Sequence, residues 1–255
     1  MSYTVVTCLF DIGRGSWNAY RRDTNAYARY FMNVLSLKAN MIVFCEKKFI
    51  PIVKSVRNKL NQYDTQIVET KIEDLVMYQY KDLLFEINED PNYALGHPHR
   101  LAPEISQPMY SLVVCSKLDL LYRGSKLAKD DYCIFLDGGY THCNVDISQV
   151  NWNPQSIISV KDRLSIIILR DIKDADPDPY RFCVQYIDIH NGGFMGGTKE
   201  AIEKVRNEYY TLIHELLTVN RIKDDDQYYH TMLCLKHPEL YNNIPGGWYT
   251  AFNIK

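Results

Sequence analysis

The chain has 255 residues, of which 46% are hydrophobic and 24% charged, which is long enough for one α/β domain with a sizeable core. The low glycine and proline content excludes a collagen-like or low-complexity protein, and the apolar fraction excludes a disordered one. The net charge of −2 provides no general attraction to nucleic acid or anionic membranes, so we expect no nucleic-acid partner.

The seven cysteines contain no Cys-x-x-Cys pair, and several lie in apolar runs. This pattern predicts buried free thiols in a reducing compartment. No signal-peptide pattern opens the chain, and no apolar run reaches the ~18 residues of a membrane span. We therefore expect a cytoplasmic protein without a transmembrane segment.

Apolar patterning predicts strands that alternate with helices. The predicted strands cover residues 3–10, 41–46, 65–70, 132–136, 165–169 and 182–189. The predicted helices cover residues 24–37, 49–60, 109–121, 200–217 and 226–235, and residues 72–85 also have helical spacing. This alternation is typical of a Rossmann-like α/β fold with a mostly parallel sheet flanked by helices, here one domain over residues 1–255.

Residues 88–108 interrupt the pattern with four prolines and the pair His97 and His99. A loop this long in a compact domain is usually functional or disordered. We interpret the segment as a long loop or lid.

Ligands of open α/β sheets bind beyond the carboxyl ends of the strands. The loop of residues 11–15 (DIGRG) follows the first strand, and its backbone amides and Arg14 could approach a diphosphate. A plain tight turn fits equally well, because the loop has neither a P-loop ending nor a complete dinucleotide fingerprint.

Asp137-Gly138-Gly139 follows the apolar run YCIFL. A carboxylate at the exposed end of a buried strand favours a ligand-binding role, and the glycines permit close approach of a ligand. The alternative is an Asx turn in which the side chain binds the local backbone.

Residues 191–198 (NGGFMGGT) hold four glycines directly before a helix, for which Thr198 would be the N-cap. We interpret this run as a backbone wall beside a ligand, with a flexible elbow as the alternative.

Asp224, Asp225 and Asp226 open the last predicted helix. Helix capping explains one or two of these acids, and the third acid together with Gln227 favours a catalytic base. The alternative is that the segment only caps the helix. The histidine spacings match no zinc cage.

Together the segments 4–15 (TVVTCLFDIGRG), 110–117 (YSLVVCSK) and 135–142 (FLDGGYTH), with the later GGFMGG and DDQ, resemble the HtrL/YibB-like family. This is a group of predicted sugar transferases with the GT-A fold. The resemblance covers nearly the whole chain. It implies a GT-A-like domain that moves a sugar from a UDP- or GDP-linked donor to a glycan or other hydroxyl acceptor.

The resemblance also implies roles for individual residues. Donor-binding residues would be Thr7, Phe10, Asp11, Arg14, Lys117, Asp137, Gly138 and Gly139. The acceptor side would be formed by Asn191, Gly192 and Gly193, with Trp248 available to stack on a sugar or to seal the core. Asp226 or Asp225 would be the base of an inverting enzyme.

A divalent cation, Mn²⁺ or Mg²⁺, is implied by the Asp-x-Asp motif of such enzymes. Here Gly139 replaces the second acid, which puts the metal in doubt. Asp137 and His142 would be the ligands if a cation binds. Alternatively, Lys117 or Arg14 would neutralise the leaving diphosphate without a metal.

Two other functions fit the same pattern. One is a non-catalytic sugar- or nucleotide-binding module, suggested by the missing second acid. The other is a nucleotidyltransferase, which would release pyrophosphate from a nucleoside triphosphate.

Overall fold

The computed structural model describes residues 2–142, 147, 150 and 152–254. In this part of the chain, one sheet contains the strands β1 (Tyr3–Leu9), β2 (Asn40–Cys45), β3 (Thr65–Glu69), β4 (Tyr132–Leu136), β5 (Leu164–Ile168), β6 (His190–Thr198) and β7 (Tyr241–Pro245). Their order is β3-β2-β1-β4-β6-β5-β7. Only β6 runs antiparallel to its neighbours, β4 and β5. The predicted α/β class with a mostly parallel sheet is confirmed.

Helices pack on both faces of this sheet. They are α1 (Thr24–Leu35), α2 (Ile50–Arg57), α3 (Lys81–Glu89), α4 (Pro103–Ser106), α5 (Pro108–Val114), α6 (Lys117–Leu127), α7 (Gln155–Ile158), α8 (Pro179–Gln185), α9 (Lys199–Thr218) and α10 (Asp226–Lys236). The side chains of successive residues in β1 point to opposite faces of the sheet, as the two-residue period of a strand requires. Val6 packs in the layer that contains α6, α9 and α10, and Val5 packs in the layer that contains α1 and α2.

The predicted strand over residues 182–189 is wrong. Residues 179–185 form α8, because Asp178 accepts a hydrogen bond from the backbone of Arg181 and Pro179 occupies the first turn.

The glycine run after it is the strand β6 rather than a loop. Its glycines allow a close approach to β4, since a Cβ at Gly196 would lie 3.2 Å from Ile134 and from Tyr132. Thr198 caps α9 as predicted, by accepting a hydrogen bond from the backbone of Ala201.

The predicted helix over residues 109–121 is divided into α5 and α6 by Cys115 and Ser116. This division makes Lys117 the first residue of α6, next to the end of β4.

Residues 91–101 are turns, and α4 follows them. Tyr93 in this segment is buried, and its hydroxyl donates to the carbonyl of Lys223. Movement of residues 88–108 as a lid stays a prediction.

The described cysteines have free, buried thiols, as predicted; they are Cys8, Cys45, Cys115, Cys133, Cys183 and Cys234. Cys143 lies outside the described residues. None of the helices in the described ranges is long and apolar enough to cross a membrane.

Candidate functional site

A cavity of about 220 Å³ opens where β1 and β4 end and β6 begins. Most of the sequence-predicted site residues line it: Phe10, Asp11, Arg14, Lys117, Asp137, Gly139, His142, Asn191, Gly192, Gly193, Asp226 and Trp248. The structure therefore brings together segments that are far apart in the sequence.

Lys117 joins the two acids at this cavity. Its Nζ lies 3.1 Å from Oδ2 of Asp137 and 3.1 Å from Oδ2 of Asp226. The same atom donates a hydrogen bond of 3.1 Å to the carbonyl of Gly192. The side chains of Lys117 and Asp226 are 8% and 3% exposed, whereas that of Asp137 is 32% exposed. The bridge thus connects a buried acid with one that is open to a ligand.

Burial and the bridge give the two acids different proton affinities. Burial raises the pKa of Asp226 to about 7, although Lys117 opposes this change. Burial also disfavours ionisation of Asp137, but the Lys117 ammonium and the Gly139 backbone N–H hold the pKa of Asp137 below its usual range. For Lys117, burial is outweighed by the charges of Asp226 and Asp137, which raise its pKa. Asp137 is therefore a fixed anion near neutral pH, and Asp226 can exchange a proton.

Glycine at position 192 is required by the position of Asp226. A Cβ on Gly192 would lie 2.6 Å from both carboxylate oxygens of Asp226. At the neighbouring Gly193, a Cβ would come within 2.8 Å of the Tyr140 ring. The start of β6 is thus a backbone wall against the site, although it is strand rather than loop.

Asp137 forms the Asx turn that the sequence offered as one interpretation, and its role in ligand binding stays a prediction. Its Oδ1 accepts a 2.7 Å hydrogen bond from the backbone of Gly139, as in an Asx turn. Its Oδ2 faces Lys117. The turn therefore holds the carboxylate in place beside the ammonium group.

The loop after β1 supplies a fixed cation. Arg14 donates to the Tyr27 hydroxyl and, over 3.0 Å, to the carbonyl of Tyr20. Its guanidinium lies 5.1 Å from the centre of the Trp17 ring and 5.8 Å from that of Tyr110. Such packing restrains the side chain before any ligand arrives.

Asp11 is already partnered in this structure. Its Oδ2 lies 2.9 Å from Nζ of Lys48, and its Oδ1 accepts a hydrogen bond from the Gly13 backbone. The hydrogen bond from Lys48, together with that from Gly13, lowers the pKa of Asp11 despite partial burial. Asp11 is thus mainly a local anchor of the loop, although it lines the cavity.

Three predicted residues do not line this cavity among the residues described. Thr7 is fully buried within β1, and a Cβ on Gly138 would collide with the carbonyl of Cys8. Asp225 instead caps α10, since its Oδ1 accepts from the backbones of Gln227 and Tyr228. Of the two acids, Asp226 lines the cavity and Asp225 does not.

Two further polar residues of the wall were not among the predicted site residues: Arg22, which sequence reasoning missed, and Gln227, which it named only as part of the DDQ motif. Arg22 lines the cavity from a stretch that has no motif. Gln227 donates to Oδ2 of Asp225, and its buried Oε1 accepts no hydrogen bond from any residue that the structure describes. A buried acceptor without a partner is costly, so a ligand donor at this point would be favourable. The DDQ motif, in which Gln227 follows Asp226, was the signal for this residue.

The residues around Asp137 do not form a cation site of ordinary composition. His142, the other predicted ligand, has its Nε2 2.8 Å from the Tyr249 hydroxyl. Within the described ranges, no three His, Cys, Asp or Glu side chains are grouped closely enough to hold a metal ion. Lys117 moreover occupies the position between the two acids. These donors do not fit the divalent cation of an Asp-x-Asp motif.

The family model HtrL_YibB, described as a bacterial protein of unknown function, matches residues 1–255. The chain belongs to the HtrL_YibB family. Protein HtrL of Escherichia coli (strain K12) is 26% identical over 276 residues, covering 98% of this chain and 91% of that protein.

Solved structures of low identity are also similar to this chain. Mouse xyloside xylosyltransferase 1 in its apo form is 14% identical with a TM-score of 0.45, covering 96% of this chain and 85% of that one. The inositol-1-phosphate CTP transferase from T. maritima is 10% identical with a TM-score of 0.42, covering 96% and 85%. The apo-form glycosyltransferase GlyE of Streptococcus pneumoniae TIGR4 is 10% identical with a TM-score of 0.40, covering 95% and 45%. Such similarities assign no activity to this chain.

Proposed function

We propose that this protein is a glycosyltransferase that moves a sugar from a nucleotide-sugar donor, UDP- or GDP-linked, to a hydroxyl acceptor. The observation that carries the proposal is the Lys117 bridge between Asp137 and Asp226 beside a cavity at the carboxyl ends of the strands. It combines a fixed anion, a cation and a proton-accepting acid within one pocket.

The donor would lie along the loops that follow β1 and β4. Arg14 would bind the diphosphate, because a guanidinium pairs with phosphate oxygens through two parallel hydrogen bonds. The Asp137 side chain is a third exposed and its pKa is held below its usual range by Lys117, so the carboxylate suits a hydrogen bond from a ribose or sugar hydroxyl. Phe10 lines the same wall and would contact the base or ribose.

The acceptor would approach from the side of β6 and the C-terminal turn. The Trp248 side chain is 43% exposed at the edge of the cavity, where its ring is available to a sugar face. Asn191 fixes this edge, because its Nδ2 donates to the carbonyl of Trp248 while its Oδ1 accepts from Gly193.

Asp226 would act as the base of an inverting transfer. The bond from the anomeric carbon to the diphosphate oxygen breaks with its electron pair going to the diphosphate. The acceptor oxygen forms the new bond and gives its proton to Asp226, whose pKa of about 7 suits this exchange near neutral pH.

The experiment is a thermal-shift screen with UDP-, GDP-, dTDP- and CMP-sugars and with the four nucleoside triphosphates. We expect one nucleotide-sugar class to raise the Tm. The Arg14→Gln variant should lose this shift, and Arg29→Gln, a change on α1 that does not line the cavity, should keep it. Stabilisation by a triphosphate alone would favour nucleotidyl transfer, and no shift with any compound would contradict the proposal.

A further inference from the structure

We propose that the cavity binds the donor's diphosphate without a divalent cation, with Lys117 in the cation's place between the acids and with Arg14 and Arg22 as counter-charges. This inference rests on the proposed function and specifies how its donor is held. It departs from the Asp-x-Asp pattern that the resemblance implied.

The first argument is that acceptor oxygens surround the Lys117 ammonium. Its Nζ donates a hydrogen bond of 3.1 Å to the carbonyl of Gly192 and forms ion pairs, each also at 3.1 Å, with Oδ2 of Asp137 and Oδ2 of Asp226. A metal ion between the two carboxylates would have to displace this buried cation. The site is already neutralised by the chain itself.

The second argument concerns the missing acid. A Cβ on Gly139 would lie 3.1 Å from Oδ1 of Asp137 and 3.2 Å from the Tyr27 ring. A second carboxylate at this position would therefore crowd the turn that holds Asp137. Gly139 is part of the local structure and not simply a lost ligand.

The third argument is the placement of the arginines. Arg14 is held by the Tyr27 hydroxyl and the carbonyl of Tyr20, and packs against aromatic rings. Arg22 lines the same cavity. Two guanidinium groups match the two phosphates of a nucleoside diphosphate.

The charges of the site support departure of the diphosphate. Lys117, Arg14 and Arg22 provide three positive charges, against Asp137 and the exchangeable Asp226. The aspartate of the first loop is neutralised separately by Lys48. When the bond to the anomeric carbon breaks, the negative charge that develops on the diphosphate oxygen would be stabilised by the arginines.

Isothermal titration with UDP, GDP, dTDP and CDP tests the inference, each in EDTA, in Mg²⁺ and in Mn²⁺. We expect one diphosphate to bind with a Kd that changes less than about threefold between EDTA and either cation. Arg22→Gln should weaken binding at least tenfold. Arg21→Gln, at the adjacent exposed arginine outside the cavity, should change the Kd less than twofold.

The outcomes separate the inference from the proposed function. Binding that requires Mg²⁺ or Mn²⁺ would overturn the metal-free site and leave the glycosyltransferase intact. Equal binding by wild type and Arg22→Gln would overturn the role of the arginines. Absence of binding by every diphosphate in all three solutions would overturn the proposed function together with the inference.

Discussion

Nζ of Lys117 lies 3.1 Å from Oδ2 of Asp226, and both side chains are almost completely buried. Removing one partner of a buried pair leaves an uncompensated charge, at a cost of about 3–5 kcal/mol. We expect Lys117→Met to lower the free energy of unfolding by that amount and to abolish transfer. Urea denaturation at pH 7.5 measures the loss.

A surface lysine supplies the control for that change. Lys129 and Asp64 form an exposed pair with an N–O distance of 2.6 Å. Lys129→Met should leave the urea midpoint unchanged, because exposed pairs contribute little. Equal midpoints for Lys117→Met and wild type would show that the buried bridge does not stabilise the fold.

Gly192 sets the position of Asp226, so Gly192→Ala should displace the carboxylate. The new Cβ would lie 2.6 Å from its oxygens. We expect transfer to fall at least tenfold, because misplacement of a reacting group by about 1 Å costs rate. Gly197→Ala on the same strand is the control, since a Cβ there has contacts no closer than 3.4 Å. If both variants kept wild-type rates, Asp226 would not need its observed position.

The pKa of Asp226 predicts how the rate of transfer depends on pH. Its carboxyl has a pKa of about 7, raised by burial, and must be ionised to accept a proton. The rate at saturating donor should therefore rise between pH 6 and 8 and level off above. Initial rates across this range, on protein whose fold is checked by circular dichroism at each pH, provide the measurement. A rate that falls over the same range would exclude Asp226 as the base.

The lowered pKa of His190 predicts how the free energy of unfolding depends on pH. This residue is buried between Thr231 and Asn243, and burial lowers its pKa to about 4, against ~6.5 for an unfolded histidine. Between these values the unfolded chain binds the extra proton, so stability falls as the pH decreases, by up to ~1.4 kcal/mol per unit.

The buried acids with raised pKa values change the stability in the opposite direction as the pH falls. The test is therefore the difference in unfolding free energy between wild type and a His190 variant. The stability advantage of wild type over His190→Asn should shrink from pH 7 to pH 5 in urea denaturation. A constant difference between the two proteins would mean that His190 takes no part in the acid response.

The parts of the fold that could be predicted were those determined by the residues of a single segment. β1, β2 and β4 are covered on both faces, so their sequences are continuous apolar runs. β6 was missed because its glycines carry no alternation, and they are explained only by their contacts across the sheet. The segment of α8 was predicted as a strand from its short apolar pattern. It forms a helix because the capping by Asp178 determines its structure more strongly than that pattern does.

The same limit applies to the site. Asp137 was predictable, because a carboxylate directly after a buried strand is a local signal. The meeting of Lys117 with Asp137 and Asp226 was not, because it depends on how three distant segments pack. Arg22 lies in a stretch without a motif, and only the folded cavity includes it.

The most direct measurement is release of nucleoside diphosphate from the nucleotide sugar that stabilises the protein, followed by liquid chromatography with water or added glycans as acceptor. We predict release by wild type, a loss of about 100-fold or more in Asp226→Asn, and a loss below about threefold in Asp225→Asn, which keeps a capping side chain. No release by wild type, or equal rates in wild type and Asp226→Asn, would contradict catalysis of sugar transfer by Asp226.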